Sequence, residues 1–192
     1  MRTAELKRTT SETDISIRLC LDGGDINIKT GIGFFDHMLM ALAKHAGFGL
    51  QLTVKGDLDV DCHHTAEDTG IALGKTLAEA AGNKAGMARY GAAFVPMDES
   101  LAFAALDFCG RAYLAFDANF PEQRTGDFDT CVVSEFMRAV AFNAGITLHI
   151  KCEYGANSHH MIEAMFKALA RALKQAVKIE GGEVLSTKGV LD

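Results

Sequence analysis

The strongest constraint on this chain is an internal repeat, because two copies of one unit must fold in the same way. The stretch "HMLMALAKHAGFGLQL" at 37–52 aligns with "EFMRAVAFNAGITLHI" at 135–150. A spacing two residues shorter in the second copy then brings an HH-x-x-E motif into register, with His63, His64 and Glu67 over His159, His160 and Glu163. The chain is therefore predicted to contain two pseudo-repeats, approximately 1–86 and 87–192.

Apolar periodicity predicts the same order of elements in both repeats. In the first repeat we expect three strands, a helix, a strand and a helix at 2–9, 14–21, 25–30, 34–46, 48–56 and 63–82, with Gly47 ending the first helix. In the second repeat the same order is expected at 89–95, 100–108, 111–118, 130–144, 146–153 and 158–179. A single βββαβα unit cannot bury its apolar face alone, so the two units are expected to pack as one α+β domain over 1–192.

Composition excludes several classes of protein. A net charge of −6 argues against a general nucleic-acid binder, and no run of about 20 apolar residues predicts a membrane span. The five cysteines are scattered and form no C-x-x-C pair, so neither a disulfide framework nor a cysteine zinc site is expected. The first residues carry no apolar signal-peptide core, and a cytoplasmic location is predicted.

The HH-x-x-E motif has the geometry of a metal-binding motif. At about 100° per helical residue, Glu67 lies between His63 and His64, so it can share a metal with one histidine while the other faces a different centre. Imidazole with carboxylate suits Mn, Fe, Co, Ni or Zn. One helix supplies too few ligands, and the repeat offers His37 and, opposite it, Glu135 as additional ones.

A single helical histidine is usually a packing or surface residue. A motif used twice is different, because burying four imidazoles and two carboxylates without partners would be costly. The last helix also carries Lys167 on the same polar stripe as His160 and Glu163, about two turns from the predicted metal. Helical geometry leaves open whether Lys167 is solvated or functional.

Several segments resemble one known family. They are "TGIGFFDHML", "DCHHTAEDTGIALG", "MDESLAFAALDFCGR", "TLHIKCEYGANSHHMIEAMFKALARAL" and the closing "STKGVL", which together extend from about residue 8 to 191. On these motifs the sequence is similar to the imidazoleglycerol-phosphate dehydratases of histidine biosynthesis. The resemblance implies helices packed between two four-stranded mixed sheets, a ribosomal protein S5 domain 2-like fold. It also implies a homo-oligomer of 24 subunits whose active sites lie at subunit interfaces around two Mn(II) ions.

The resemblance further implies the residues of the metal site. Its ligands correspond to His37, His63, His64, Glu67, Glu135, His159, His160 and Glu163. Glu135 is a departure, since many family members have histidine there, but a carboxylate also coordinates Mn(II).

The implied reaction removes water from D-erythro-imidazole-glycerol phosphate and gives imidazole-acetol phosphate. It would pass through an imidazolate and a diazafulvene-like intermediate on the two metals, which act as Lewis acids. The resemblance assigns proton transfer to Glu12, helped by the metal-site histidine His37. The implied phosphate-binding residues are Arg89, Arg111, Lys167, Ser186 and Lys188, while Asp98 and Glu99 have a supporting role.

Two other functions remain compatible with the motif itself. A dinuclear metallohydrolase would use a metal-bound water to attack a phosphate or ester, and it would release phosphate from generic monoesters. A metal-stapled shell without catalysis would use the motif only to join subunits, and Glu12→Gln would then change neither assembly nor turnover.

Overall fold

The structure is a computed structural model that describes residues 1–189. The first repeat contains β1 (Thr3–Thr9), β2 (Thr13–Cys20), β3 (Ile26–Lys29), α1 (Gly33–Ala46), β4 (Gly49–Gly56) and α2 (His63–Ala81). The second contains β5 (Tyr90–Met97), β6 (Ser100–Asp107), β7 (Tyr113–Asp117), β8 (Arg124–Thr125), β9 (Phe128–Asp129), α3 (Val132–Ala144), β10 (Thr147–Tyr154) and α4 (Ser158–Ala176). The end of the "STKGVL" segment, Val190 and Leu191, lies outside the described residues, as does Asp192.

The predicted element order is confirmed, with one addition. The β8–β9 hairpin precedes α3, and its two-residue strands are too short to produce a periodic pattern. Alternation along β2 is regular: Thr13, Ile15, Ile17 and Leu19 are buried, whereas the residues between them are exposed. This is the pattern of a strand with one face on the core.

The two repeats form two sheets with the same topology. The first sheet has the order β1-β2-β4-β3 and the second β5-β6-β10-β7. In each sheet the last strand pairs in parallel, β3 with β4 and β7 with β10, while the other pairs are antiparallel. The predicted α+β fold with two four-stranded mixed sheets is therefore confirmed.

The most extensive contacts between helices join the two repeats. Helix α1 contacts α4, and α2 contacts α3, while α2 and α4 also cover the sheets of their own repeats. The ring of Phe136 in α3 stacks on that of Phe166 in α4, with centroids 5.2 Å apart, and meets Phe35 of α1 edge-on at 5.4 Å. Buried side chains of both repeats join in one hydrophobic cluster, and on this basis we propose that the chain is a single domain. In the described part of the chain, no helix is long and apolar enough to cross a membrane.

The α2–α3 crossing depends on two glycines in α2. A Cβ at Gly70 would lie 2.8 Å from the Ala139 Cβ, and one at Gly74 would lie 2.8 Å from the Val140 carbonyl oxygen. Backbone atoms cannot move aside as a flexible side chain can. The close approach of these helices therefore requires residues without a side chain.

We expect Gly74→Ala to lower the free energy of unfolding by about 1–3 kcal/mol, because the added methyl group overpacks the crossing. The control is Gly33→Ala at the start of α1, where an added Cβ meets no atom within 4 Å, so stability should be unchanged or slightly raised. Urea unfolding of both variants, followed by circular dichroism, measures the difference. Equal stability of the two variants would contradict this account of the crossing.

Candidate metal centre

One cluster of candidate ligands is assembled within the chain. His37 on α1 and His159 on α4 both direct Nε2 at Glu163 Oε2, at 3.4 and 3.3 Å. Within residues 1–189 these three residues are the one group whose ligand atoms all lie within 4.8 Å of one another. The sequence predicted all three as ligands, but the repeat did not indicate that His37 would join the motif of the other repeat.

The cluster fits a divalent transition metal. Bonds from such ions to imidazole nitrogen and carboxylate oxygen are about 2.0–2.2 Å long, so two ligands of one ion stand roughly 3–4.4 Å apart. The separations of 3.3 and 3.4 Å agree with that range. Two imidazoles with one carboxylate also form a donor set that suits Mn, Fe, Co, Ni or Zn.

Local hydrogen bonds hold the two helix starts that carry the cluster. Asp36, next to His37, accepts hydrogen bonds from the backbone N–H and the hydroxyl of Thr30, at 2.7 and 2.6 Å. Asn157 caps α4 by accepting from the His160 backbone N–H at 3.3 Å. Both starts are thus anchored, and their side chains meet where α1 packs on α4.

Glu163 is buried, although helical geometry predicted it on a polar stripe, because α1 covers that part of α4. Its Oε1 accepts from the Lys167 ammonium at 2.6 Å, which leaves Oε2 facing the histidines. Burial raises the pKa of the Glu163 carboxyl, but the bonds and charges of Lys167 and His37 outweigh burial and lower it overall. The carboxylate is therefore held ionised and ready to bind a cation.

The equivalent residues of the first repeat are arranged differently. His63 Nε2 lies 3.5 Å from Glu67 Oε2, as the helical geometry predicted. Arg138 of α3 donates to Glu67 Oε1 at 3.3 Å and through Nε to Glu135 Oε2 at 3.0 Å. A cation thus joins the two carboxylates, and Glu135 binds Arg138 where His37 binds Glu163.

The two histidine rings of each motif are nearly perpendicular to each other. The rings of His63 and His64 lie 79° apart, and those of His159 and His160 lie 80° apart. The ligand atoms of the second histidines, His64 and His160, form no three-residue group with others in the described chain.

Each of these second histidines has a carboxylate on Nδ1. Asp57 Oδ2 lies 2.9 Å from His64 Nδ1, and Glu99 Oε2 lies 2.7 Å from His160 Nδ1. These bonds raise the pKa of both imidazoles, and the His160 bond lowers the pKa of Glu99 to about 2. Asp57 and Arg138 were not predicted as site residues, because single charged residues outside a motif carry no pattern.

The predicted acid/base residue Glu12 lies in the β1–β2 turn, half-exposed. Its Oε1 is 3.8 Å from His64 Nε2, and among residues 1–189 this imidazole is the one basic group within 4 Å of its carboxylate. The backbone around it is fixed, since the Asp57 N–H donates to the Glu12 carbonyl at 3.1 Å. The structure thus brings Glu12 beside a predicted metal ligand.

Four predicted phosphate-binding residues lie at the far end of α4. Arg89 donates to both carboxylate oxygens of Asp107 at 2.6 and 2.9 Å and to the Leu185 carbonyl at 2.7 Å. Arg111 is exposed, 3.8 Å from Asp107, and Ser186 follows the carbonyl that Arg89 holds. Lys188, the fourth, is exposed in the same terminal segment.

The predicted metal ligands and these four phosphate-binding residues are far apart in one chain. The Arg89 backbone N–H bonds to the carbonyl of Ala176, the last residue of α4, whereas His160 lies in the first turn. At 1.5 Å per residue these positions are about 24 Å apart along the helix. Lys167 lies closer to the metal ligands, on Glu163.

The fold and the candidate centre define an α+β protein with one histidine–carboxylate motif in each repeat and a candidate metal site formed by residues of both repeats. A family model described as imidazoleglycerol-phosphate dehydratase matches residues 30–173. A relative of that name from Acetivibrio thermocellus is 55% identical, over 99% of both chains. Another of that name, from Lacticaseibacillus casei, is 58% identical over the full length of both.

Solved structures agree with the sequence relatives. The imidazoleglycerol-phosphate dehydratase of Staphylococcus aureus superposes with a TM-score of 0.85 at 41% identity, covering 92% of this chain and 99% of the other. The IGPD of Pyrococcus furiosus, in complex with (S)-C348, gives a TM-score of 0.85 at 39% identity, covering 97% and 100%. The chain belongs to the imidazoleglycerol-phosphate dehydratase family.

Membership in this family confirms the resemblance found in the sequence. The chain is an enzyme, a hydro-lyase of histidine biosynthesis that acts on a small-molecule substrate. A dehydratase is therefore favoured over the metallohydrolase and over the metal-stapled shell.

We expect Lys167→Met to move metal binding to higher pH. With the ammonium gone, burial dominates and the Glu163 pKa rises, so the proton competes with the metal over a wider pH range. The lowered pKa of Glu163 stabilises the folded protein at pH values above the pKa of this carboxyl in the unfolded chain. That stabilisation is lost as the pH falls through the folded-state pKa, and Lys167→Met should lose it as well. Titration of Mn(II) at several pH values measures the shift, and Lys174→Met, exposed on the same helix, should show none.

Proposed function

We propose that the chain converts D-erythro-imidazole-glycerol phosphate to imidazole-acetol phosphate and water, with two Mn(II) ions at each active site. The observation that carries the proposal is the cluster of His37, His159 and Glu163, a preformed set of donors for a divalent metal. The family supplies the reaction class, and the donor set is one that Mn(II) accepts.

The eight predicted ligands would hold the ions. His37, His159 and Glu163 would hold one side of the centre, and the other candidates are His63, His64, Glu67, Glu135 and His160. When bound, the ions would supply Lewis acidity that favours the imidazolate form of the substrate ring; loss of hydroxide from that form would give the diazafulvene-like intermediate. To bind an ion, Glu135 would have to give up its hydrogen bond with Arg138.

Glu12 would move the proton. Hydroxide would leave from the carbon next to the imidazole ring, so the proton to be removed is the one on the following carbon, and the leaving hydroxide must receive a proton. Glu12 Oε1 is suitable because its backbone is fixed while its carboxylate is half-exposed, 3.8 Å from His64 Nε2. His37, exposed at the edge of the cluster, would assist the transfer.

The active site would be formed between subunits. The substrate is a few carbon atoms long. In one chain, however, the phosphate-binding residues around Arg89 and the candidate ligand His160 are about 24 Å apart along α4. One small molecule therefore reaches both groups only if they come from different copies. This supports a homo-oligomer, and we propose the 24-subunit assembly that the sequence resemblance implies.

The phosphate would be bound by the cations of a neighbouring copy. Arg111, exposed and near Asp107, would offer a bidentate fork, and Ser186 and Lys188 would add a hydroxyl and an ammonium. Arg89 would hold the segment of Ser186 in place through the Leu185 carbonyl. Lys167, beside the metal ligands, would act from the metal side of the site.

We expect the purified protein with Mn(II) to form imidazole-acetol phosphate from imidazole-glycerol phosphate, and a chelator to abolish this activity. The reason is that the ring proton and the hydroxide are both poorly reactive without a Lewis acid. Product formation is followed with and without chelator and after Mn(II) is returned, with a generic phosphate monoester as control. Absence of product while Mn(II) is bound would contradict the proposal.

A second test concerns the site between subunits. Glu12→Gln and Arg111→Ala should each abolish most turnover alone, but co-expressed subunits should regain activity. If the two variants assemble at random from equal amounts, each side of a site is intact with a chance of one half, so about a quarter of the sites would pair an intact metal side with an intact phosphate side. A site within one chain would instead give a mixture as inactive as its components.

A further inference from the structure

Glu12 and Glu99 occupy equivalent positions in the two repeats. Leu19 pairs with Leu50 across the first sheet, and Leu106 pairs with Leu148 across the second. Leu50 and Leu148 are aligned in the repeat, so β2 and β6 correspond residue by residue. Counting back seven residues from Leu19 and Leu106 reaches Glu12 and Glu99.

The two equivalent glutamates nevertheless contact different atoms. Glu99 Oε2 lies on His160 Nδ1 at 2.7 Å, whereas Glu12 Oε1 faces His64 Nε2 at 3.8 Å. Asp57 instead occupies Nδ1 of His64, at 2.9 Å. The same ring nitrogen is thus bound in both repeats, but by carboxylates from non-equivalent positions.

A steric difference explains why the second repeat uses a glutamate. Asp57 follows the last residue of β4, and the equivalent position after β10 is Gly155. A Cβ at Gly155 would lie 2.4 Å from Met161 Cγ and 2.5 Å from Ser100 Oγ. No carboxylate side chain fits there, so the bond to His160 must come from elsewhere.

From this arrangement we infer that Asp57 and Glu99 are positioning residues, which hold His64 and His160 with Nδ1 protonated and Nε2 free for a metal. An ionised carboxylate only accepts hydrogen bonds, so the ring nitrogen that meets it must carry the hydrogen. The other nitrogen then keeps its lone pair. The inference rests on the proposed metal role of His64 and His160.

The equivalent glutamates Glu12 and Glu99 would therefore have different roles. Glu99 is occupied, since its Oε1 accepts from the backbone N–H groups of Ala156 and Asn157 at 3.2 and 3.0 Å. Glu12 is relieved of positioning by Asp57, and its carboxylate makes no hydrogen bond within the described residues. A carboxylate without such bonds can exchange protons with a substrate.

Asp57 is poorly explained as a residue kept for stability. Its Oδ1 is buried without a hydrogen-bond partner in the described chain, which is unfavourable for folding. We expect Asp57→Ala to fold with little change in stability. This makes it a clean variant for a test of positioning.

The test uses the whole chain, labelled with ¹⁵N and ¹³C at its seven histidines and studied without metal by magic-angle-spinning NMR, for which assembly size sets no limit. The pH is kept high enough for neutral rings, and His64→Asn assigns the His64 signals. We expect Nδ1–H in the parent protein and a shift toward Nε2–H in Asp57→Ala, with His160 unchanged. Mn(II) affinity should fall about 10–100-fold.

Asp59→Ala is the matched control, an exposed carboxylate two residues away that should alter neither the tautomer nor Mn(II) affinity. If Asp57→Ala does not fold, Asp57→Asn against Asp59→Asn carries the same comparison. An Nε2–H tautomer in the parent, or a Asp57 variant equal to its control in both measurements, overturns the inference. If the parent protein has the expected tautomers but does not catalyse the proposed reaction, only the proposed function is overturned.

Discussion

The arrangement of the candidate site depends on the packing of α1 against α4. This contact buries Glu163 and brings His37 of one repeat beside the HH-x-x-E motif of the other. A buried carboxylate without partners would take up a proton, but Lys167 holds one oxygen and thereby keeps the other available to the histidines. Helix packing and metal-ligand geometry are therefore one constraint, which explains why the ligands do not belong to a single repeat.

The repeats are alike in topology and different in electrostatics. Each motif glutamate has one oxygen on a cation, but the cation is Lys167 from the same helix in one repeat and Arg138 from α3 in the other. Each second histidine has a carboxylate on Nδ1, again from a different place. The common features are those that a metal site requires, namely an ionised carboxylate and an imidazole of fixed orientation. Because of these differences, the carboxylate of Glu12 makes no hydrogen bond within the described residues, whereas the equivalent Glu99 is bonded to His160.

Much of the fold could be predicted because it follows from local pattern. Alternation in β2 and the aligned glycines Gly47 and Gly145 fixed strands and helix ends, and the repeat doubled the evidence for each. The HH-x-x-E geometry likewise follows from helical rotation alone. The partner of His37 could not be predicted, since it depends on which helices cross. Asp57 and Arg138 were missed because a single charged residue becomes meaningful only when tertiary structure places it against a ligand.

Under the proposed function, the separation of the candidate site residues on one chain would connect activity with assembly. Within the described residues one cluster of three candidate ligands is assembled, while Nε2 of His64 and of His160 makes no hydrogen bond. A substrate with two ring nitrogens and a phosphate needs donors at both ends, yet α4 holds the two kinds of donor about 24 Å apart. If the proposal holds, a monomer could not use His64 and His160 together with the phosphate-binding residues on one substrate. The same helix that separates the two groups within a subunit can bring them together between subunits, so association would complete the site rather than merely enlarge the protein.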